Sequence, residues 1–253
     1  MSTKSRNILR FAIVLIVVAV VGNVAMYMMG NSPFNIEELA ITKTVHADQV
    51  TDLTILAEMG SVKVIPVEGN EIQATLEGKT TKKWVKDYHL NVKEDHGRVH
   101  VEIKQDSRMR LFDLYTDLQL TVGIPAVKMR QLQVETDTAN INVDSVDVSE
   151  YRLVSDTGRI EVNGMEGLFN IKSDTGNVAI VLEKINYDII ATTDTGDITI
   201  QTAQAPEALR TKLETDSGKI NVTLPHYKDG YISAGGPLVK LISDTGNLNI
   251  ENK

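Results

Sequence analysis

Six short segments hold the residue types that chemistry would need. They read Asp137-Thr-Ala-Asn-Ile141, Asp156-Thr-Gly-Arg-Ile160, Asp174-Thr-Gly-Asn-Val178, Asp194-Thr-Gly-Asp-Ile198, Asp216-Ser-Gly-Lys-Ile220 and Asp244-Thr-Gly-Asn-Leu248. Asp-Thr-Gly is also the triplet of aspartic proteases, where two facing loops let two carboxylates share one proton. Here four such triplets, one Asp-Ser-Gly and one Asp-Thr-Ala follow one another at steps of 19, 18, 20, 22 and 28 residues. A repeat explains them better than a protease. If the segments stack as strands, their carboxylates stand in file ~4.8 Å apart and repel one another. Lys219, Arg159 and the Thr hydroxyls are the groups at hand to relieve this. A bound Ca²⁺ is the alternative, since hard cations collect several oxygens. The chain has neither an EF-hand loop nor a Gly-Gly-x-Gly-x-Asp calcium repeat, so a solvated turn face is the favoured reading and no cofactor is expected.

Other candidates are fewer. Lys79-Thr-Thr-Lys82-Lys83-Trp84-Val-Lys86 is basic and bears the single Trp, with Lys104, Arg108 and Arg110 nearby in sequence. Lys82, Lys83, Trp84 and Lys86 could contact lipid headgroups, an anionic polymer or a partner protein; the competing reading is a solvated edge with Trp84 packed over the end of the fold. His96 and His100 lie four apart, which on a strand is one face but not one helical turn, so a metal pair is not expected. Between residues 137 and 226 the aromatics are Tyr151, Phe169 and Tyr187. A sugar-processing groove would want more aromatic platforms beside clustered charges.

The elements that must hold the six segments follow from the pattern around them. Ser or Thr precedes every Asp: Thr136, Ser155, Ser173, Thr193, Thr215 and Ser243. Three before the Asp stands Val134, Leu153, Ile171, Ala191, Leu213 or Leu241; six after stands Val143, Val162, Ile180, Ile200, Val222 or Ile250. Apolar positions alternating with polar ones on both sides of a fixed turn describe strands with one buried face. Gly158, Gly176, Gly196, Gly218 and Gly246 suit a turn position that needs positive φ, and Ala139 in the first copy marks a different turn. The Ser/Thr shares inward parity with the apolar positions, which predicts a stack of hydroxyls satisfying turn amides. Two weaker copies lie upstream, Glu58-Met-Gly-Ser-Val62 and Asp95-His-Gly-Arg-Val99. Two short strands per ~20 residues cannot bury their own faces, but stacked copies can. The fold class expected is therefore all-β, a parallel β-helix (β-solenoid) of ~20-residue coils over residues 45–253, about ten coils and ~50 Å long. A propeller needs ~40 residues per blade, and a sandwich would not hold one turn in register through six copies. Residues 226–237, inside the longest step, are a candidate cap, partner contact or ordinary loop.

Residues 11–29 are apolar apart from Asn23, and as a helix they span ~29 Å, one hydrocarbon core. Lys4, Arg6 and Arg10 precede this run and the first acid is Glu37, a bias that leaves residues 1–10 in the cytoplasm and the rest outside. We read residues 11–30 as an uncleaved transmembrane signal anchor, because Met26-Tyr-Met-Met-Gly30 is no Ala-x-Ala cleavage site. Residues 31–44 read as a linker with a short helical turn over 35–40. The 253-residue chain has no Cys and a formal net charge of −8. That excludes disulfide frameworks, thiol chemistry and iron–sulfur clusters, and argues against nucleic acid as a partner.

The Ile124-Pro125 strand end leading into Leu132-Gln-Val-Glu-Thr136, the serial Ser/Thr-Asp-Thr-Gly-x-Ile-x-Val units and the N-terminal anchor resemble the bacterial putative-adhesin family of β-solenoids. The anchored layout is similar to LiaG-like members, which are encoded with envelope stress-response genes. The resemblance covers residues 45–253, most closely from 115 onward. It implies a β-solenoid at the cell envelope and no catalytic residues. The expected function is a non-enzymatic, membrane-anchored interaction module for an envelope protein or polymer. A polysaccharide-binding or polysaccharide-processing enzyme and a purely structural rod are the alternatives.

Overall fold

The computed structural model describes residues 3–30, 32, 34–106 and 116–253; Arg108 and Arg110 lie outside them. Helix α1 (Thr3–Met28) contains a 23-residue stretch, Arg6–Met28, of mean hydropathy 2.6 with none of it buried against protein. It is long and apolar enough to cross a membrane, as a single-pass anchor or a signal sequence does.

The rest is mostly strand. β1 (Ile36–His46), β2 (Asp52–Val67) and β3 (Glu71–Thr81) come first, then a hairpin of β4 (Tyr88–Asp95) and β5 (Arg98–Gln105), then β6 (Asp117–Pro125) and the long β7 (Met129–Asp144). From there strands come in pairs around a corner: β8 (Val148–Thr157) with β9 (Ile160–Gly164), β10 (Leu168–Thr175) with β11 (Val178–Leu182), and β12 (Ile189–Thr195) with β13 (Ile198–Thr202). β14 (Leu209–Ser217) with β15 (Ile220–Thr223), the short β16 (Tyr231–Ile232), and β17 (Leu238–Thr245) with β18 (Leu248–Asn252) complete the chain.

Neighbouring repeats pair in parallel and in one register. Thr136, Ser155, Ser173, Thr193, Ser243 and Thr215 lie side by side before the corner. Ile141, Ile160, Val178, Ile198, Leu248 and Ile220 do so after it. The sheet curls at the corners, so alternate residues on both sides turn into one continuous core. Ile160, Phe169, Ile198, Ile200, Leu248 and Ile250 are wholly buried in it, each side chain contributing about 1.5–3 kcal/mol of transfer free energy. Tyr151 stacks on Phe169 with ring centroids 4.6 Å apart, a ladder contact between adjacent repeats.

Four expectations need correction. Residues 36–44 of the expected 31–44 linker, with its helical turn over 35–40, instead belong to β1, which is antiparallel to β3 over its whole length; Leu39 is buried and β3 gains a partner for its free edge. Asp95-His-Gly-Arg98 is the turn of the β4–β5 hairpin rather than a stacked corner. The Glu58 copy does stack, with Met59 beside Thr138 and Gly60 beside Ala139. The antiparallel strands β1, β3, β4 and β6 therefore close the N-terminal side, where ~20-residue parallel coils were expected. Finally, the last two repeats are stacked out of order: β17 lies between β12 and β14, and β18 between β13 and β15. The long step between Asp216 and Asp244 supplies the chain that makes this crossing, and its β16 covers the free edge of β14 at Leu209 and Arg210.

Candidate functional site

At each corner the chain passes close over its neighbour. A Cβ on Gly176, Gly196 or Gly246 would lie 1.9 Å, 2.1 Å or 1.9 Å from the carbonyl oxygen of Gly158, Gly176 or Gly196 respectively. Real Cβ atoms do not approach oxygen so closely, so these positions need glycine for space; the positive φ expected at every corner glycine is found at Gly158, Gly176 and Gly196, whereas Gly218 and Gly246 lie outside that region. Ala139, the exception, lies within the continuous strand β7 and outside the positive-φ region, so its corner is of a different kind.

The Ser/Thr hydroxyls are buried at the same corners, but they donate to carbonyls and not, as expected, to amides. Ser155 Oγ donates to Ala139 O (3.2 Å), Thr193 Oγ1 to Gly176 O (3.2 Å), Ser243 Oγ to Gly196 O (2.9 Å) and Thr215 Oγ1 to Gly246 O (2.9 Å). The amides find backbone partners instead: Gly176 N–H donates to Thr195 O and Gly196 N–H to Thr245 O, both at 2.9 Å. Thr136 Oγ1 turns to Ala139 O of its own repeat, and Ser173 Oγ is buried without a partner.

A second ladder escaped the sequence reading. At four of the six corners the residue after the Gly, or after Ala139, lends a side-chain oxygen to the next repeat's backbone; Arg159 and Lys219 hold the other two positions. Asn140 Oδ1 accepts from Arg159 N–H (2.8 Å), Asn177 Oδ1 from Asp197 N–H (2.9 Å), Asp197 Oδ1 from Asn247 N–H (2.7 Å) and Asn247 Oδ1 from Lys219 N–H (3.0 Å). The signal was legible as Asn, Asn, Asp and Asn at one repeat position.

Asp137, Asp156, Asp174, Asp194, Asp244 and Asp216 stand in file along the corner edge, Asp174 half-buried and the others exposed. Lys172 Nζ reaches Asp174 at 2.9 Å. That hydrogen bond and the Asp174 charge raise the Lys172 pKa, with Asp194 and Asp156 adding to the pull. Relief of the file comes from Lys172 and not from Arg159, which pairs with Glu161 at 3.1 Å. Among the described residues no three His, Asp or Glu side chains converge on a point that could hold a metal ion. An open cleft on the outer face is lined by Ser61, Lys63, Gln119, Asn142, Arg159 and Glu161, with no aromatic platform for a sugar ring.

The basic segment lies elsewhere, beside the exit of α1. Asn35 Nδ2 donates to Tyr27 O of the helix (3.1 Å), and Lys82 N–H donates to Asn35 O (2.7 Å). Lys82, Lys83 and Lys86 are exposed, while Trp84 is half-buried against the core. Lys83 Nζ sits 4.6 Å from the centre of the Trp84 ring, a cation–π distance. Nothing in the local sequence places these residues at the helix; the β1–β3 pairing does, with Ile36 opposite Thr81.

The model of the family described as Toastrack DUF4097 matches residues 20–251, from within α1 to the end of β18. The chain belongs to this family. A solved structure described as a "putative cell adhesion protein" from Clostridium sporogenes is similar to the Toastrack chain, with a TM-score of 0.54, at 13% identity over 86% of this chain and 100% of its own. A "putative adhesin" from Bacteroides fragilis matches with a TM-score of 0.43 and 17% identity over 85% and 97% of the two chains. At these identities the first of them shows a shared fold and nothing more. No curated protein sequence matches the chain.

Proposed function

We propose that this Toastrack chain is a LiaG-like, membrane-anchored β-solenoid that works outside the cytoplasmic membrane as a non-enzymatic interaction module of the cell envelope. On this reading α1 is the anchor, the stacked repeats are a spacer of coils, and the far end is the contact surface. One observation carries it: the repeat farthest from β1 in the strand order is left uncovered. Ile220 is 49% exposed there, whereas its equivalents Ile198 and Leu248 are fully buried. β15 pairs with β18 on one edge only, so its other edge offers free N–H and C=O groups to an extended partner segment. Nine strand spacings separate β1 from β15, about 43 Å at ~4.8 Å each. The net charge of −11 beyond residue 10 opposes close approach of the domain's bulk to an anionic surface.

The test is site-specific photo-crosslinking in intact cells, with the crosslinker at residue 220 and a control at the equally exposed Tyr187. Adducts specific to residue 220, lost when Lys219 and Asn221 are replaced by Pro, are expected. Equal labelling at both sites would refute the tip as the contact. The link to envelope stress predicts an altered transcriptional response to a wall-active antibiotic in cells lacking the gene; an unchanged response would refute that part.

A further inference from the structure

We infer that Lys82, Lys83, Trp84 and Lys86, with Phe34 and Ile36, form a collar that seats the domain on anionic lipid headgroups around the exit of α1. The inference rests on the reading of α1 as a membrane-spanning helix. Asn35 fixes the geometry: its side chain donates to Tyr27 O in the last turn of the helix, and its carbonyl accepts the Lys82 N–H at 2.7 Å. Ser32 Oγ, in the segment that follows the helix, adds a contact to Asn23 Oδ1 (3.4 Å). If α1 spans a bilayer, the segment hydrogen-bonded to its final turn lies at headgroup level.

The side chains there suit that level. Phe34 is 46% exposed and Ile36 47% exposed, on an otherwise polar strand start. Trp84, half-buried, is the residue type found at membrane interfaces. Three exposed lysines flank it, in a domain whose charge is otherwise negative. Lys79 is left out of the collar because Glu38 stands opposite it in the β1–β3 register. Glu37, the half-buried Asp87 and Asp106, whose N–H donates to Asp87 O, are further acids at this end among the described residues, and Asp117 also stands opposite Lys79, so the collar acts through the placement of its exposed lysines beside the helix exit and not through a net positive charge. The collar also supplies what the −11 domain lacks, a local attraction to the surface from which its bulk is repelled. Each lysine near an anionic surface favours docking by roughly 5-fold at low salt, and the acids beside the three offset part of their sum. Screening over ~10 Å makes that preference salt-sensitive.

Trp84 is the only tryptophan in the chain, which makes it the reporter. The full chain is reconstituted into phosphatidylcholine vesicles and into vesicles with one quarter phosphatidylglycerol, each with and without brominated acyl chains. Expected are quenching of Trp84 by the brominated lipid, at least two-fold stronger with phosphatidylglycerol, and loss of that difference at 0.5 M salt. Lys82→Gln/Lys83→Gln/Lys86→Gln should abolish the phosphatidylglycerol dependence with an unchanged far-ultraviolet circular dichroism spectrum. Trp84 unquenched in every vesicle, or quenched alike with and without phosphatidylglycerol, overturns the collar. Flotation after an alkaline wash reports α1 separately: a chain that floats with an unquenched Trp84 refutes the collar alone, and one that does not float refutes the anchor.

Discussion

Replacing Gly196 by Ala tests whether close approach at the corners holds the repeats in register. The added Cβ would stand 2.1 Å from Gly176 O, a backbone atom that cannot swing aside. Reaching an ordinary contact requires the two corners to part by about 1 Å. Three bonds cross that gap: Gly176 N–H to Thr195 O (2.9 Å), Thr193 Oγ1 to Gly176 O (3.2 Å) and Asp197 N–H to Asn177 Oδ1 (2.9 Å). All three would then exceed hydrogen-bonding distance. At ~1 kcal/mol each, plus ~1 kcal/mol for a stranded buried carbonyl, the loss is about 4 kcal/mol. The stiffer unfolded chain of Ala returns ~0.5–1 kcal/mol, leaving about 3 kcal/mol, or roughly 6–12 °C in Tm. Gly69 is the control, because it too has a positive φ but nothing within 4 Å of its Cβ position. Gly69→Ala should show the backbone strain alone, ~1–2 kcal/mol. Both variants are compared by urea unfolding of the full chain in detergent micelles, followed by circular dichroism. If Gly196→Ala costs no more than Gly69→Ala, contact between corners is not what sets the register.

Ser243→Ala should cost ~1–2 kcal/mol by removing the donor to Gly196 O, whereas Ser173→Ala, which deletes a buried hydroxyl without a partner, should be neutral or stabilising; urea midpoints decide. Burial raises the Tyr151 pKa above its ordinary value of 10, so the unfolded chain loses this proton at lower pH than the folded one. Tyr151 therefore contributes stability that is intact below pH 10 and lost as pH rises further, and Tyr151→Phe should flatten the alkaline decline in Tm while costing ~1 kcal/mol at pH 7 for its bond to Val146 O. Deleting residues 247–253 should lower Tm by more than 10 °C and broaden the transition, because β18 is the only pairing partner of β15 and covers β13; a loss below ~3 °C would refute the interleaved order.

Much of the core was legible in residue order. The alternation around Asp156, Asp174, Asp194 and Asp244 reports strand parity, and parity alone decides which of Leu153, Ser155, Ile160 and Val162 face inward. The corner glycines were legible as turn residues, but their reason was not: the obstacle is the carbonyl of another repeat, 18 to 20 residues away for Gly176 and Gly196 and 50 for Gly246. The N-terminal side was misread because its strands pair antiparallel, with partners set by tertiary contact. Ile36–His46 alternates too weakly to announce a strand until β3 is placed beside it. The collar was half legible. Lys82, Lys83, Trp84 and Lys86 stood out by charge contrast, while their nearness to α1 comes through Asn35, in a stretch whose sequence reads as linker.

The interleaving of the last two repeats answers a problem that a simple stack leaves open. In sequential order β18 would be the outer strand of the stack, with one edge open. Instead β18 is held on both edges, by β13 and β15, and Asn252 Nδ2 donates to Thr202 O and Ala203 O at 3.0 and 3.2 Å. The outer position falls to β14 and β15, whose ends are both tied by continuing chain, and whose edge is partly covered by β16. Lys212, Glu214, Asp216 and Lys219 give this outermost repeat alternating charge, which discourages indiscriminate edge pairing. Leu213, Ile220 and Val222 nevertheless keep apolar surface there that every interior repeat buries. An edge that is anchored at both ends, charged along its rim and apolar at its centre is stable without a partner, yet retains the backbone groups with which one could pair. That combination, at the opposite end of the strand order from the lysine collar, gives the molecule two ends of different chemistry: one suited to a lipid surface and one to a polypeptide edge.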